Sequence, residues 1–538
     1  MQGRAAALAF VLVFARSGSA QHATHSSRSS SVVPAEILER AIPIRSGIGS
    51  AHYRVSTESA EAQAMYDQGL AYLHSYVWID AARSFNQALR LDPRLALAYV
   101  GLSYAYGELN APDRAHAAAE HARTLASHAS EAERRRIEIR ARQLSAEDAP
   151  HDAARLAAYR TAIDDALAQD PSDEELWLLR GVAEAPDAAD RGQGSTAASV
   201  KFYERALALA PGHFAARHYL THAFENTDRI DEALAHGQAY ARMAPAIPHA
   251  RHMFGHELRR AGRIDEAIAE FEAADRLETD DLKKENIPAE YDWHYHHNLD
   301  LLASSYQYTG KMARAEQVMK IAFALPSDLT QQEINKRAWP MFLIGLGRPD
   351  EALAAASVLI AHRSPLVRAT GHVEAGEAML ASGRFEAAAA ASNAALADLN
   401  RAQDGGALVA TSLQQLQAEF FLRTGQNEKG RALLEQVIRK VRAAPGPDAW
   451  TLALFTLEAI ARAARETGDW VLAAGAARQM LEHDPAYAGT HYALALAAEH
   501  GGDRDAARAE FALAARYWRN ADPDLSELRD SRRRETRH

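Results

Sequence analysis

The chain has 538 residues, 48 % of them apolar, enough for a large buried core and for several domains of ordinary size. Its 60 Lys and Arg stand against 71 Asp and Glu, and a net charge of −11 offers no general attraction to a phosphate backbone, which excludes nucleic acid as the main partner. The absence of cysteine excludes disulfides, thiolate metal sites and thioether haem attachment together, so any metal must use His and carboxylate.

In chain order, the first element is Arg4, followed by an apolar run over 5–15 and the small residues Ser17, Gly18, Ser19 and Ala20. Eleven apolar residues are too few to span a hydrocarbon core, and the pattern predicts a secretory signal over 1–20, cleaved after about Ala20. No later stretch approaches the ~18 apolar residues a spanning helix needs, so the expectation is a periplasmic or secreted protein without a membrane span. Residues 21–58 carry Ser, His and Arg without clear periodicity and are expected to form a flexible lead-in.

From Ser59 onward, helical apolar periodicity is broken at short intervals by a recurring turn: NTDRIDEA at 226–233, AGRIDEA at 261–267, TGKMARA at 309–315, LGRPDEA at 346–352 and GGDRDAA at 501–507. With only 30 Gly and 19 Pro and an abundance of Ala, Leu, Glu and Arg, the chain reads as all-α. Proline closes helices at Pro93, Pro171, Pro211, Pro245 and Pro485, and Pro211 to Pro245 is a step of 34 residues, as is Asp228 to Gly262. The run EAERRRIEIRAR at 131–142 is expected to be a solvated helix face.

Helix, tight turn and proline-terminated helix at a 34-residue period resemble the tetratricopeptide repeat family, in its exported bacterial form. In the first unit, Gly69, Tyr72, Ala81, Phe85, Ala88 and Pro93 fall where that family places its small and large packing residues. Units at 214–245 and 248–279 match through Leu220, Phe224, Ala233, Gly255, Leu258, Ala267, Phe271 and Ala274. The resemblance implies a right-handed α-solenoid of about ten helix pairs, read here as an N-terminal part at 59–325 and a C-terminal part at 326–520, and the basic end, Arg529 to Arg537, is expected to be a frayed tail within 521–538. It also implies a binding or scaffold protein that takes a protein or peptide in its concave groove.

Ten of the 24 histidines lie between His213 and His297. At 100° per residue, with Leu220 and Phe224 inward, His218, His222 and Glu225 point away from the packing face; Phe254 and Leu258 place His249, His252 and His256 likewise. His218 and His222 repeat one unit on as His252 and His256, whereas Tyr66, Leu70, Val100 and Tyr104 occupy those positions in the first two units. The resemblance puts these helices along one concave surface, where the two His pairs are expected to converge on a single ion. Glu225, His249, His294, His297 and Asp300 would complete the set. Imidazole and carboxylate without thiolate favour Zn, Cu, Fe or Ni over Mg or Ca. About fourteen extra residues around 279–293 adjoin the cluster as a lid, a ligand source or a plain surface loop. Two other readings remain open: a hydrogen-bonded polar lining, or a clamp for a carboxylate or peptide terminus that uses Arg217, Arg251, Arg259 and Arg260. There is no phosphate-binding loop, no Gly-x-Ser-x-Gly, and His256-Glu257-Leu258-Arg259 lacks the second His of a metalloprotease helix, so no organic cofactor is implied. The remaining enzymatic alternative is a metal-dependent reaction at the His, Glu and Asp cluster.

Overall fold

A computed structural model describes residues 33–327, 329–402, 405–444 and 447–535; the signal sequence expected over 1–20 and the start of the expected lead-in lie outside them. The described residues form an all-α chain, with no strand among them. They fall into two compact units, one within Thr24–Asn298 and one within Leu299–His538. None of the described helices is long and apolar enough to cross a membrane.

Within the first unit, helices pair through tight turns: Ala60–His74 with Trp78–Leu91, Phe214–Asn226 with Ile230–Met243, and Pro248–Arg260 with Ile264–Glu285. Each turn needs one residue in the left-handed region, which glycine, Asn or Asp reaches most cheaply. Asn110 (φ 58°), Asp228 (φ 59°) and Gly262 (φ 74°) fill that position. Tyr76 (φ 60°) fills it in the first pair. The helices close up where a small residue meets a ring. A Cβ at Gly69 would lie 2.6 Å from Phe85, one at Gly101 2.4 Å from the same ring, and one at Gly255 2.7 Å from Phe271. Both rings are fully buried.

Two expectations for this unit change. Residues 33–58 are packed: Val33, Leu38, Ile42, Ile48 and Val55 are buried. Asn86 donates to Leu38 O (3.0 Å), Arg83 to Ala41 O (2.9 Å), and Ala246 N–H to Gly47 O (2.8 Å). Beyond the one helical turn Ala35–Leu38, an irregular segment satisfied by donors from other elements leaves no helical period to read. The 131–142 run is solvated only in part: Glu131, Arg134, Glu138 and Arg142 are exposed, but its other face is buried. Arg140 is fully buried and donates to Ser103 and Glu147, Arg136 pairs with Asp173 while lying over the Tyr53 ring, and Ile137 and Ile139 face the core.

The second unit continues the pairing from Met312–Ala324 to Ala488–His500 with Arg504–Tyr517. Its residues 521–535 are not frayed: Leu525 and Leu528 pack with Trp518, Asp522 N–H donates to Gly310 O (3.1 Å), and Ser526–Glu535 is helical. Leucine at 525 and 528 supplies an apolar anchor that the Arg-rich composition of the tail obscures. Among its interior polar groups, Glu374 is 3 % exposed with one carboxylate oxygen unpartnered. Burial pushes Glu374 up to about 8, against the opposing pull of Arg337.

Gly101→Ala is expected to lower stability by about 1–3 kcal/mol in chemical denaturation, since Phe85 has nowhere to move. Gly212→Ala, at an open position, is expected to stay within about 0.5 kcal/mol of wild type. Glu374 binds its proton more tightly in the folded chain than in the unfolded one. Between its ordinary range and about 8, stability therefore falls as pH rises, by at most about 1.4 kcal/mol per pH unit. Glu374→Gln is expected to remove that slope in pH-resolved denaturation curves.

Candidate metal centre

Helices Phe214–Asn226 and Pro248–Arg260 turn Phe214, Leu220 and Phe224, and Ala250, Met253 and Leu258, into the core. Their other faces carry the imidazoles. These are not exposed in a groove: His218, His222, His249, His252, His256 and His294 are each 0–7 % exposed, and His297 is half-buried. The physical reason is a cover that helix-wheel reasoning on one repeat omits. Tyr76, from the first turn of the unit, sets its ring 4.6 Å from that of His218, 4.9 Å from His249 and 6.0 Å from His222. Tyr240 stacks on His218 at 4.7 Å and Trp293 lies 6.1 Å from His297.

The histidines gather into two sets whose ligand nitrogens lie within 4.8 Å of one another: His218 with His222 and His249, and His252 with His256 and His297. In the first, His218 Nε2 is 3.1 Å from His222 Nε2 and 2.9 Å from His249 Nε2. His218 Nδ1–H donates to the carbonyl oxygen of His74 (2.7 Å). A carbonyl only accepts, so this bond fixes the tautomer and leaves one lone pair on Nε2 facing two other imidazole nitrogens. In the second set, His256 Nε2 is 3.1 Å from His252 Nε2. His252 Nδ1–H donates to Asn298 Oδ1 (3.0 Å), whose amide in turn donates to Phe271 O (3.1 Å), and His256 Nδ1–H donates to Glu225 (3.2 Å). Two lone pairs then face each other, an arrangement that a positive charge between them would relieve. Ligand–metal bonds of about 2.0–2.1 Å put tetrahedral ligand nitrogens about 3.4 Å apart, so small side-chain rotations suffice to receive an ion.

The expected residues are thus brought together differently from the single-ion arrangement. His218 and His252 are repeat-equivalent and sit one repeat step apart, on helices about 8–10 Å between axes, so each pair takes its third nitrogen from the first turns of the next repeat's first helix, His249 of Pro248–Arg260 and His297 of Trp293–Tyr308, instead of from the other pair. Glu225 orients His256 from behind and holds no place in either set. His294 lies between the sets, its ring 4.8 Å from His249 and 4.7 Å from His252; Nδ1 is 2.8 Å from Glu278, and Nε2 is buried without a hydrogen-bond partner. Asp300 is half-buried further along the helix Trp293–Tyr308, past the division between the units, and belongs to neither set. Of the arginines weighed for an anion clamp, Arg251 pairs with Glu270 and Arg260 with Asp228.

Tyr76, Asn298 and Glu278 escape a reading of one repeat at a time. The available signal is Ser75-Tyr76 at the turn where later repeats place Asn, Asp or Gly. A further buried chain supports His74: Nε2 meets Glu175 (2.9 Å), which also meets His213 (3.1 Å), and Nδ1 meets the Tyr219 hydroxyl (2.9 Å).

Burial first, then neighbouring imidazoles, hold His218, His249 and His252 well below the usual imidazole range, and burial pushes His222 and His294 down to about 4. Neutral rings keep their lone pairs at physiological pH, the form in which imidazole binds metal. Burial opposes the charge of Glu225, but His256 beside it outweighs that cost and keeps it below the usual carboxylate range. Burial, and then Glu225, push Glu257 well up.

Residues 248–281 match the tetratricopeptide repeat family model, the segment that carries His249, His252 and His256. The described residues on either side of it continue the same succession of turn-linked helix pairs. Solved structures it is similar to include yeast Tom70 (13 % identity over 88 % of this chain and 94 % of that one, TM-score 0.33) and a tetratricopeptide repeat protein from Parabacteroides merdae (11 %, 54 % and 99 %, TM-score 0.30). A third is the Cut9–Hcn1 hetero-tetramer of the APC/C (11 %, 89 % and 97 %, TM-score 0.31). No curated protein matches the sequence. Repeat arrays of this class present extended surfaces to other proteins.

Proposed function

We propose that the chain is an exported scaffold that binds a protein or peptide partner and carries a divalent transition metal in its histidine cluster. The basic residue and short apolar run at the amino terminus support export, and the repeat class supports a protein partner. One observation carries the metal: His252 and His256 both have their Nδ1–H groups committed to acceptors, so that their Nε2 lone pairs face each other at 3.1 Å, while the committed Nδ1–H of His218 aims its Nε2 lone pair at His222 and His249. Acceptors behind ligand imidazoles, as His74 O, Asn298 and Glu225 are here, fix ring orientation and raise ligand basicity in metal sites generally. All-nitrogen donor sets suit Zn, Cu, Fe or Ni. When bound, such an ion supplies a fixed positive charge and Lewis acidity; the protein's own residues orient the rings, and burial keeps His218, His222, His249 and His252 neutral.

Elemental analysis of the purified protein, before and after incubation with Zn(II), is expected to show bound metal that survives desalting. The double variant His222→Ala with His256→Ala is expected to retain less than about a tenth of it. Metal content unchanged by the double substitution would overturn the assignment.

A further inference from the structure

The two imidazole sets differ in access. His218, His222 and His249 are 0 %, 7 % and 3 % exposed, and the Tyr76 ring, itself 3 % exposed, covers all three. In the second set His297 is half-buried, stacked on a half-buried Trp293, which gives that set an edge toward solvent. Tyr76 holds its place at a cost. A non-glycine residue in the left-handed region costs about 1–2 kcal/mol, and Asn110, Asp228 and Gly262 show which residues the same turn takes elsewhere in this unit. Here the strained position carries the largest side chain of the four and turns it over the imidazoles. Its hydroxyl donates to Arg191 O (2.8 Å), which ties the ring down from the far side.

His294 joins the two sets. Its ring is within 5 Å of one imidazole from each, at steep interplanar angles of 80° to His249 and 72° to His252. Glu278 holds one nitrogen while the other is buried with no hydrogen-bond partner, although a buried polar atom left unpaired ordinarily costs about 1–3 kcal/mol. Ligand exchange at a labile divalent ion proceeds most easily when an incoming donor is in reach before an outgoing one leaves, and a neutral imidazole placed between two sets provides that donor. The helix Ile264–Glu285 is 22 residues long against 14 for Ile230–Met243, and its extra length contains Glu278. The insertion between Gly262 and Gly310 thereby supplies both His294 and its support.

Resting on the metal reading above, we propose that the protein takes up two divalent ions in sequence. His252, His256 and His297 form an exchanging entry site, His218, His222 and His249 a sealed storage site under Tyr76, and His294 is the ligand that passes the ion from one to the other. The sites differ in exchange rate; the proposal requires no difference in affinity. No covalent or redox step is involved, and each transfer replaces one imidazole–metal bond with another.

The test uses the full chain loaded with Zn(II), desalted, and mixed with an excess of a chromogenic chelator. Two equivalents are expected to leave in two phases separated at least tenfold in rate. His256→Ala is expected to lose the fast phase and His222→Ala the slow one. Tyr76→Gly, which suits the left-handed backbone and removes the cover, is expected to speed the slow phase at least tenfold with two equivalents still bound. His294→Ala is expected to slow filling of the storage site at least tenfold while the fast phase stays intact. His294→Gln, which keeps a polar group toward Glu278, replaces it where circular dichroism shows the alanine variant unfolded. Release of two equivalents in one phase, or storage-site filling indifferent to both position 294 variants, overturns the relay and leaves metal binding standing. A wild-type chain that retains no zinc overturns the metal reading and the relay with it.

Discussion

The close approach of consecutive helices, set where a glycine edge meets an aromatic ring, is the constraint from which the first unit follows. Gly69 and Gly101 admit the Phe85 ring from two sides, and Gly255 admits Phe271. At that spacing the face of each first helix turned from its partner comes within side-chain reach of its neighbours. The imidazoles of Phe214–Asn226 then meet those of Pro248–Arg260 across the gap, and the His-x-x-x-His spacing sets two nitrogens on one face of each helix.

Placing so many polar rings in a dry interior carries a cost that pairing has to offset. The structure does so with acceptors set behind the rings. A backbone carbonyl at His74, the Asn298 amide and the Glu225 carboxylate each take one imidazole proton and aim the opposite nitrogen inward. The supporting groups come from helix ends and turns, and the converging nitrogens come from helix faces. Orientation and ligation are thus divided between local structure and repeat packing.

Much of this was legible in advance because two periods, 3.6 and 34, carry it. The first marks the core faces through Leu220, Phe224 and Leu258. The second aligns His218 with His252 and His222 with His256 and makes their recurrence visible. What escaped has no period. The segment from Val33 to Val55 packs with a single helical turn at Ala35–Leu38 and otherwise irregular backbone, held by Asn86 and Arg83 from a helix that comes later in the chain. Tyr76 lies in a turn, where a helical wheel assigns no direction. The division of the imidazoles into two sets depends on the offset between neighbouring helices, and sequence spacing measures residues along the chain, not distance across it. The tail was misjudged on its charge, since two leucines among the arginines decide its packing.

Ordinary repeat arrays are chains of nearest neighbours: each module touches only the next, and folding can start anywhere and spread. This unit breaks that rule. Arg83 of the first pair donates to Glu285 (2.8 Å), 202 residues on; Gly47 meets Ala246; and His74 bonds Glu175, Tyr219 and His218. The array closes on itself and its beginning becomes the roof over its end. Such a topology trades modularity for cooperativity: the repeats cannot be shortened or exchanged singly, and loop closure over two hundred residues makes assembly of the enclosed interior a late event in folding.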